Sequence, residues 1–278
     1  MTTDNELKDL VKEKYSQIAT QSRGQNLSSC CGATDCCDTD GYTIMADDYS
    51  NLEGYNANAD LGLGCGIPTQ YAKITEGDTV IDLGSGAGND AFIARRFVGN
   101  KGRVIGVDFS EAMIEKARAN VDKLGFNNIE FRLGDIEKIP VAADRADVIL
   151  SNCVLNLVPN KRNVFAEIFR VLKPKAHFSI SDIVLEGELP DGLKKAAEMY
   201  AGCVSGAIQK DEYMGIIQET GFVNISLLKE KQIIIPDDIL LQYINEKELR
   251  EFKSSGVGIH SITVYGEKPW CQPGTGCC

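Results

Sequence analysis

"VIDLGSGAG" (residues 80–88) decides the architecture. A short apolar run, Val80, Ile81 and Leu83, breaks into glycines at every second position, Gly84, Gly86 and Gly88. That is a buried strand running into a tight loop, and "NDAFIARRFV" (89–98) behind it reads as a helix. Strand, glycine loop and helix in this order form the ligand-binding corner of a doubly wound sheet. The dinucleotide fingerprint G-x-G-x-x-G would place its third glycine at position 89, which is Asn89. Asp82 stands just before the loop, where a pyrophosphate would be repelled. A carboxylate there suits a ligand that lacks phosphate and carries positive charge. S-adenosylmethionine, with its sulfonium and ammonium groups, meets both conditions. The alternative is a nicotinamide-dependent enzyme with an altered fingerprint.

Outward from the loop the alternation continues. "GRVIGVDFS" (102–110), "IEFRLGD" (129–135), "ADVILSNCVLNLV" (146–158) and "HFSISDIVL" (177–185) read as strands. "EAMIEKARANVDKLG" (111–125), closed by Gly125, and "NVFAEIFRVL" (163–172) read as helices. Strands alternating with helices predict a parallel, doubly wound sheet. Asp108 ends the second strand, 20 residues past Gly88, where ribose hydroxyls find an acidic acceptor. Asp135 ends the third and is placed to receive an adenine amino group. One acid after a strand is often only a helix cap. Three at successive strand ends, beside a glycine loop, point to a class I methyltransferase core. Phe109, Ile136 and Asn152 adjoin these strand ends and are counted with Asp82, Gly84, Gly86, Gly88, Asp108 and Asp135 as donor-binding residues.

Residues 4–21 predict an amphipathic helix, with Leu7, Leu10, Val11, Tyr15 and Ile18 on one face and Asp4 as cap. "SRGQNLSSCCGATDCCDTDG" (22–41) is turn-rich and reads as a loop. Beyond Leu185 a helix-like run (193–208), a helix (209–222) closed by Gly221, and two strands (224–235 and 259–268) follow. The expected fold is α/β: a doubly wound Rossmann-like class I methyltransferase core with an N-terminal helical and loop cap and a smaller C-terminal α+β region. The expected boundaries are a helix and Cys-rich cap at 1–72, the donor-binding core at 73–185, the C-terminal region at 186–268 and a Cys-rich flexible tail at 269–278.

The chain has 278 residues, with 29 basic against 40 acidic, a net charge of −11. That balance disfavours nucleic acid and anionic membranes as partners. The polar start "MTTDNELKDLVKEK" lacks an apolar signal core, and no run approaches the ~18 apolar residues of a membrane span. A cytoplasmic, reducing setting is expected. There the ten cysteines are conspicuous. Cys30-Cys31, Cys36-Cys37 and Cys277-Cys278 are adjacent pairs. Neighbouring Cα atoms lie about 3.8 Å apart, below the roughly 4.4–6.8 Å of an unstrained disulfide. Such pairs suit a thiophilic atom or exchange with a third thiol.

Three further cysteines lie in or beside the expected core: Cys65 before it, Cys153 within it and Cys203 after it. Cys153 in "VILSNC" lies just past the fourth strand, and ligands in open α/β sheets bind outside the carboxyl ends of strands. Read alone, a buried cysteine is more often a small hydrophobe, and it is the position at this strand end that favours a role in the site. Cys65 lies in a glycine cradle, "LGLGCGIP" (61–68), and Cys203 in "MYAGCVSGA" (199–207). With only His177 and His260 in the chain, and His177 at the wrong end of its strand, a Cys–His nucleophile is poorly supported. Separations of 88 and 50 residues do not read as a zinc finger.

From about Asp48 to Lys268 the chain resembles the arsenite S-adenosylmethionine methyltransferases. The residues that carry the likeness are "DYSNLEGYNANADLGLGCGIP", "VIDLGSGAGND", "VIGVDFSEAMIEKA", "LSNCVLNLV" and "MYAGCVSGA". The glycine loop is generic, whereas the three cysteine contexts together are specific. The resemblance implies that Cys65, Cys153 and Cys203 hold As(III) as a tris-thiolate, leaving a lone pair to take the sulfonium methyl. It further implies a redox relay in which an N-terminal cysteine forms a disulfide that thioredoxin or glutathione reduces. Cys30, Cys31, Cys36 and Cys37 compete for that role, and Cys37, then Cys36, lie nearest to Cys65 in sequence. The expected substrates are arsenite and methylated arsenicals. The tail "WCQPGTGCC" is either a disordered end or a tethered arm that captures arsenite by thiol exchange. A methyltransferase for an organic or quinone-like acceptor and a thiol-rich arsenite sensor are the competing functions.

Overall fold

The computed structural model describes residues 4–21, 47–194, 204 and 206–270. Its centre is one seven-stranded sheet of β1 (Thr79–Leu83), β2 (Arg103–Asp108), β3 (Ile129–Leu133), β4 (Ala146–Asn152), β5 (Leu172–Glu186), β6 (Val223–Gln232) and β7 (Gly258–Glu267). The spatial order is β3-β2-β1-β4-β5-β7-β6. β1 to β5 are mutually parallel, as the alternation predicts. β7 is antiparallel to both β5 and β6, so the sheet is mixed. The two C-terminal strands extend the core sheet itself.

Side chains alternate across the sheet, and both faces are covered, which is why these strands read as nearly continuous apolar runs. On one face Val80, Val104, Val148 and Leu150 pack under helices α2 (Asn89–Val98) and α3 (Glu111–Leu124). On the other, Ile81, Leu83, Ile149 and Phe178 pack under α4 (Lys161–Val171) and α5 (Lys210–Thr220). Gly125 and Gly221 end α3 and α5 in the left-handed conformation, as expected from their positions. The N-terminal helix α1 (Asp4–Thr20) lies on α3. Ile18 and Ala19 are buried there, and Lys116 Nζ donates to Ala19 O at 2.8 Å.

The structure departs from the sequence reading in three places. β5 begins at Leu172, with a register shift near Val148, so His177 lies within it rather than at its start. A short helix α6 (Asp237–Leu240) and a helix α7 (Glu246–Ser255) follow β6. α7 opens on a capping box between Asn245 and Glu248, a signal present in the sequence but unused. The helix-like run at 193–208 falls mostly outside the described residues, and its described end, 206–208, is not helical. Among the described residues no helix is long and apolar enough to cross a membrane.

Candidate active site

A cleft opens at the carboxyl end of β1, against the glycine loop. Gly84, Gly86 and Gly88 hold φ of +66°, +50° and +100°, a region costly for any residue with a Cβ. Three residues that line this cleft each hold a buried oxygen with no hydrogen-bond partner among the described residues: Asp82 Oδ2, Ser85 Oγ and Asn89 Oδ1. Buried polar atoms are nearly always satisfied, so three orphans on one wall mark a place for a ligand with donors. Asn89, which breaks the dinucleotide fingerprint, is one of them.

The wall is also strongly acidic, with Asp60, Asp82, Asp90 and Asp108 all buried and all lining the cleft. Burial, followed by the nearby Asp90 and Asp108, pushes the Asp82 carboxyl well above its usual range. Burial raises Asp90 to about 6. Gathering carboxylates out of water is unfavourable, and a cation among them relieves both desolvation and repulsion. This electrostatics fits a sulfonium and an ammonium.

Asp108 Oδ2 accepts from the Gly86 amide at 2.9 Å and Oδ1 from the Ser110 amide at 2.8 Å. It therefore fastens the glycine loop to β2, and a carboxylate so engaged retains lone pairs for further donors. Phe109 and Ile136 line a mostly apolar pocket that adjoins the cleft, together with Lys8 from α1. Asp135 borders the same pocket, but its carboxylate is held by Lys8 Nζ at 2.7 Å and by the Glu137 amide at 2.9 Å. Glu137 pairs with Lys8 as well.

Cys65 and Cys153 sit together in one buried apolar cluster, with exposures of 1% and 3%. The glycines around Cys65 now have a reason. A Cβ on Gly64 would stand 2.7 Å from Asn152 Nδ2, and one on Gly66 would stand 2.6 Å from Ser181 Oγ. The loop lies close against Asn152 at the end of β4 and against Ser181 beside it on β5, an approach that a Cβ would block. Ser261 on β7 donates to Cys65 O at 2.6 Å. Cys153 follows β4 with φ of +61°, and its amide donates to Ser181 O at 2.8 Å. A left-handed non-glycine residue costs about 1 kcal/mol or more, and here the turn swings the thiol into the cluster it shares with Cys65.

Val204, next to Cys203 in sequence, packs in that same cluster. Cys203 itself lies outside the described residues, as do Cys37, Cys30, Cys31, Cys36 and the tail cysteines Cys271, Cys277 and Cys278. Asn152 lines the cleft, but its side-chain hydrogen bonds run to Cys65, Gly66, Tyr49 and Asp90. Tyr49, Asp60, Ser85, Asn89 and Asp90 were not foreseen as site residues. Only the run "DYSNLEGYNANAD" hinted at the first two, through its density of polar residues in an unpatterned stretch.

The description "Methyltransferase domain" matches residues 74–221. An arsenite methyltransferase of Halobacterium salinarum is 38% identical over 95% of this chain, which spans 67% of that protein. The chain belongs to the arsenite methyltransferase family. The human arsenite methyltransferase is 33% identical over 70% of the chain, which spans 55% of its length. Among solved structures, the arsenic(III) S-adenosylmethionine methyltransferase of Chlamydomonas reinhardtii superposes with a TM-score of 0.60 at 32% identity, covering 76% of this chain and 68% of that one. Family membership and the geometry meet at one point: the acidic donor cleft opens beside the buried thiols.

Proposed function

We propose that this chain transfers methyl groups from S-adenosylmethionine to trivalent arsenic held by Cys65, Cys153 and Cys203. The observation that carries the reading is the adjacency of an acid-walled cleft, three of whose lining residues hold orphaned oxygens, to a buried apolar cluster holding two thiols. Asp82, Ser85 and Asn89 offer acceptors to the donor's ammonium, and Asp108 offers lone pairs to its ribose. Phe109 and Ile136 give an apolar seat to its base. When bound, S-adenosylmethionine supplies a sulfonium-borne methyl that the arsenic lone pair takes, leaving S-adenosylhomocysteine.

The chain's own contribution is to bind, orient and dry. Thiolate sulfur suits soft As(III), and each As–OH exchanged for As–S releases one water. Three sulfurs leave the lone pair on the open side. Fixing that lone pair towards the cleft turns an encounter into a positioned reaction. Forming the As–C bond oxidises arsenic from the trivalent to the pentavalent state. Two electrons must restore it, and thiols supply them by closing a disulfide, with Cys37 the first candidate and thioredoxin or glutathione regenerating the dithiol. A reducing, cytoplasmic compartment keeps such thiols available.

Arsenic speciation tests the reading. Incubation with arsenite, S-adenosylmethionine and a thiol reductant is expected to yield methylated arsenic and S-adenosylhomocysteine. Arsenic that binds but stays unmethylated would mark a sensor, and donor turnover only with a quinone-like acceptor would mark a different methyltransferase.

A further inference from the structure

Cys65 lies in a stretch, residues 47–72, that has no β-strand or α-helix to hold it. A buried polar network does so instead. Asn152 Oδ1 accepts from the Cys65 amide at 3.0 Å, from the Gly66 amide at 3.3 Å, and lies 3.9 Å from Cys65 Sγ. Asn152 Nδ2 faces Tyr49 Oη at 2.6 Å, Gly66 O at 2.8 Å and Asp90 Oδ2 at 3.0 Å. Tyr49 Oη lies 2.7 Å from Gly66 O and 3.1 Å from both Asp90 oxygens.

Asn152 has two N–H groups and Tyr49 one O–H, and these three donors are shared among Gly66 O, Tyr49 Oη and the Asp90 carboxylate. Turning the amide over would set its oxygen against Gly66 O and Asp90 and its NH2 against the Cys65 and Gly66 amides, so its orientation is fixed. Tyr49 and Asp90 are 4% and 7% exposed, and a fully satisfied buried network of this kind is rigid. It also joins two sites. Asp90 stands in the first turn of α2, directly behind the glycine loop, whereas Gly64 to Gly66 carry the thiol.

We propose that Asn152 and Tyr49, anchored on the Asp90 carboxylate of the donor-cleft wall, are positioning residues for Cys65, so that their hydrogen bonds to the Cys65 loop govern how the acceptor is held rather than how the donor binds. This rests on reading Cys65 as an arsenic ligand. A three-thiol site demands each sulfur within about half an ångström of its productive place. Cys153 is aimed by its own strand end, but Cys65 depends on its support. The proposal moves Asn152 from the donor set to the acceptor set.

The test compares the wild type with Tyr49→Phe, which keeps the ring and removes the hydroxyl, and with Asn152→Ser. In the absence of arsenite, each cysteine's alkylation by iodoacetamide is followed by peptide mass spectrometry. Loss of the clamp is expected to raise the Cys65 rate severalfold while Cys153, in the same cluster, stays at its wild-type rate. General loosening would raise both. In turnover the arsenite KM is expected to rise about tenfold, the scale of one lost buried hydrogen bond, with donor affinity by calorimetry within twofold. An unchanged Cys65-to-Cys153 rate ratio in both variants overturns the proposal, as does a weakened donor with an unchanged arsenite KM. A wild type that never binds arsenite defeats the proposed function instead, and the alkylation ratio still decides whether the network positions Cys65.

Discussion

Lys8 on α1 reaches across to the end of β3, its ammonium 2.7 Å from Asp135 Oδ2 and also paired with Glu137. This sets a lysine on the carboxylate that would otherwise accept the adenine amino group. Lys8 and Asp135 side chains are 27% and 41% exposed, so the pair is partly solvated and weak. Lys8→Met keeps an apolar stem over the pocket and removes the competing charge. Donor affinity measured by calorimetry is expected to tighten two- to threefold, about what a partly exposed ion pair is worth. A weakened donor would mean that Lys8 serves the site as it stands.

The contrast between Asp108 and Asp135 shows how far the sequence could be read. Both stood out as acids after strands, and both flank the donor cleft. What separates them is their neighbours. Asp108 turns to the local Gly86 and Ser110 amides, whereas Asp135 meets a lysine 127 residues away. Alternation predicts that β1 to β5 are parallel, but not their order β3-β2-β1-β4-β5, in which the step from β3 to β4 passes over β2 and β1. The insertion of β7 between β5 and β6 is not local and leaves no mark in either strand's pattern. The sequence contexts of Cys65 and Cys153 singled out two residues that the fold buries in one cluster. Asp90 was not singled out, because an acid in a helix's first turn already has a sufficient explanation in the helix dipole.

The donor cleft should titrate. Burial holds a proton on Asp90 up to about pH 6 and raises Asp82 as well. A cation favours the ionised carboxylates, so donor binding must strengthen as pH rises through about 6 and must expel protons below that point. Calorimetry in two buffers of different ionisation enthalpy, at pH 5.5 and 7.5, is expected to show more proton release at the lower pH, where Asp90 still holds its proton. Affinity independent of pH across this span would separate the acids from the donor.

Asp182 on β5 has no exposed surface, and burial lifts its carboxyl to about 7 against an ordinary 3.8. The Ile183 amide donates to it at 3.0 Å and Tyr213 Oη at 3.3 Å. Between pH 4 and 7 the folded chain keeps a proton that the unfolded chain has lost. Stability therefore falls as pH rises through that window, by up to about 1.4 kcal/mol per pH unit for one group. Asp182→Asn has nothing to ionise. The fall in melting temperature from pH 5 to pH 8 is expected to be smaller in the variant than in the wild type. Equal falls would show that Asp182 is not the group responsible.

Two glycines separate the halves of the site. Gly84 holds φ of +66°, and a Cβ there would stand 2.3 Å from Val154 Cγ2. Gly84→Ala must therefore move the glycine loop that walls the donor cleft. Gly66 is constrained only by space: its Cβ would meet Ser181 Oγ at 2.6 Å and lift the Cys65 loop off β5. Left-handed strain costs about 1–2 kcal/mol for alanine before the clash is counted. Gly84→Ala is thus expected to weaken S-adenosylmethionine more than tenfold, with Cys65 alkylated at the wild-type rate. Gly66→Ala is expected to leave donor affinity within twofold and to lower arsenite methylation at least tenfold at subsaturating arsenite. Donor calorimetry and methylation kinetics on the two proteins test both halves together. If both variants lost donor affinity alike, the cradle around Cys65 would belong to the donor cleft and not to the acceptor.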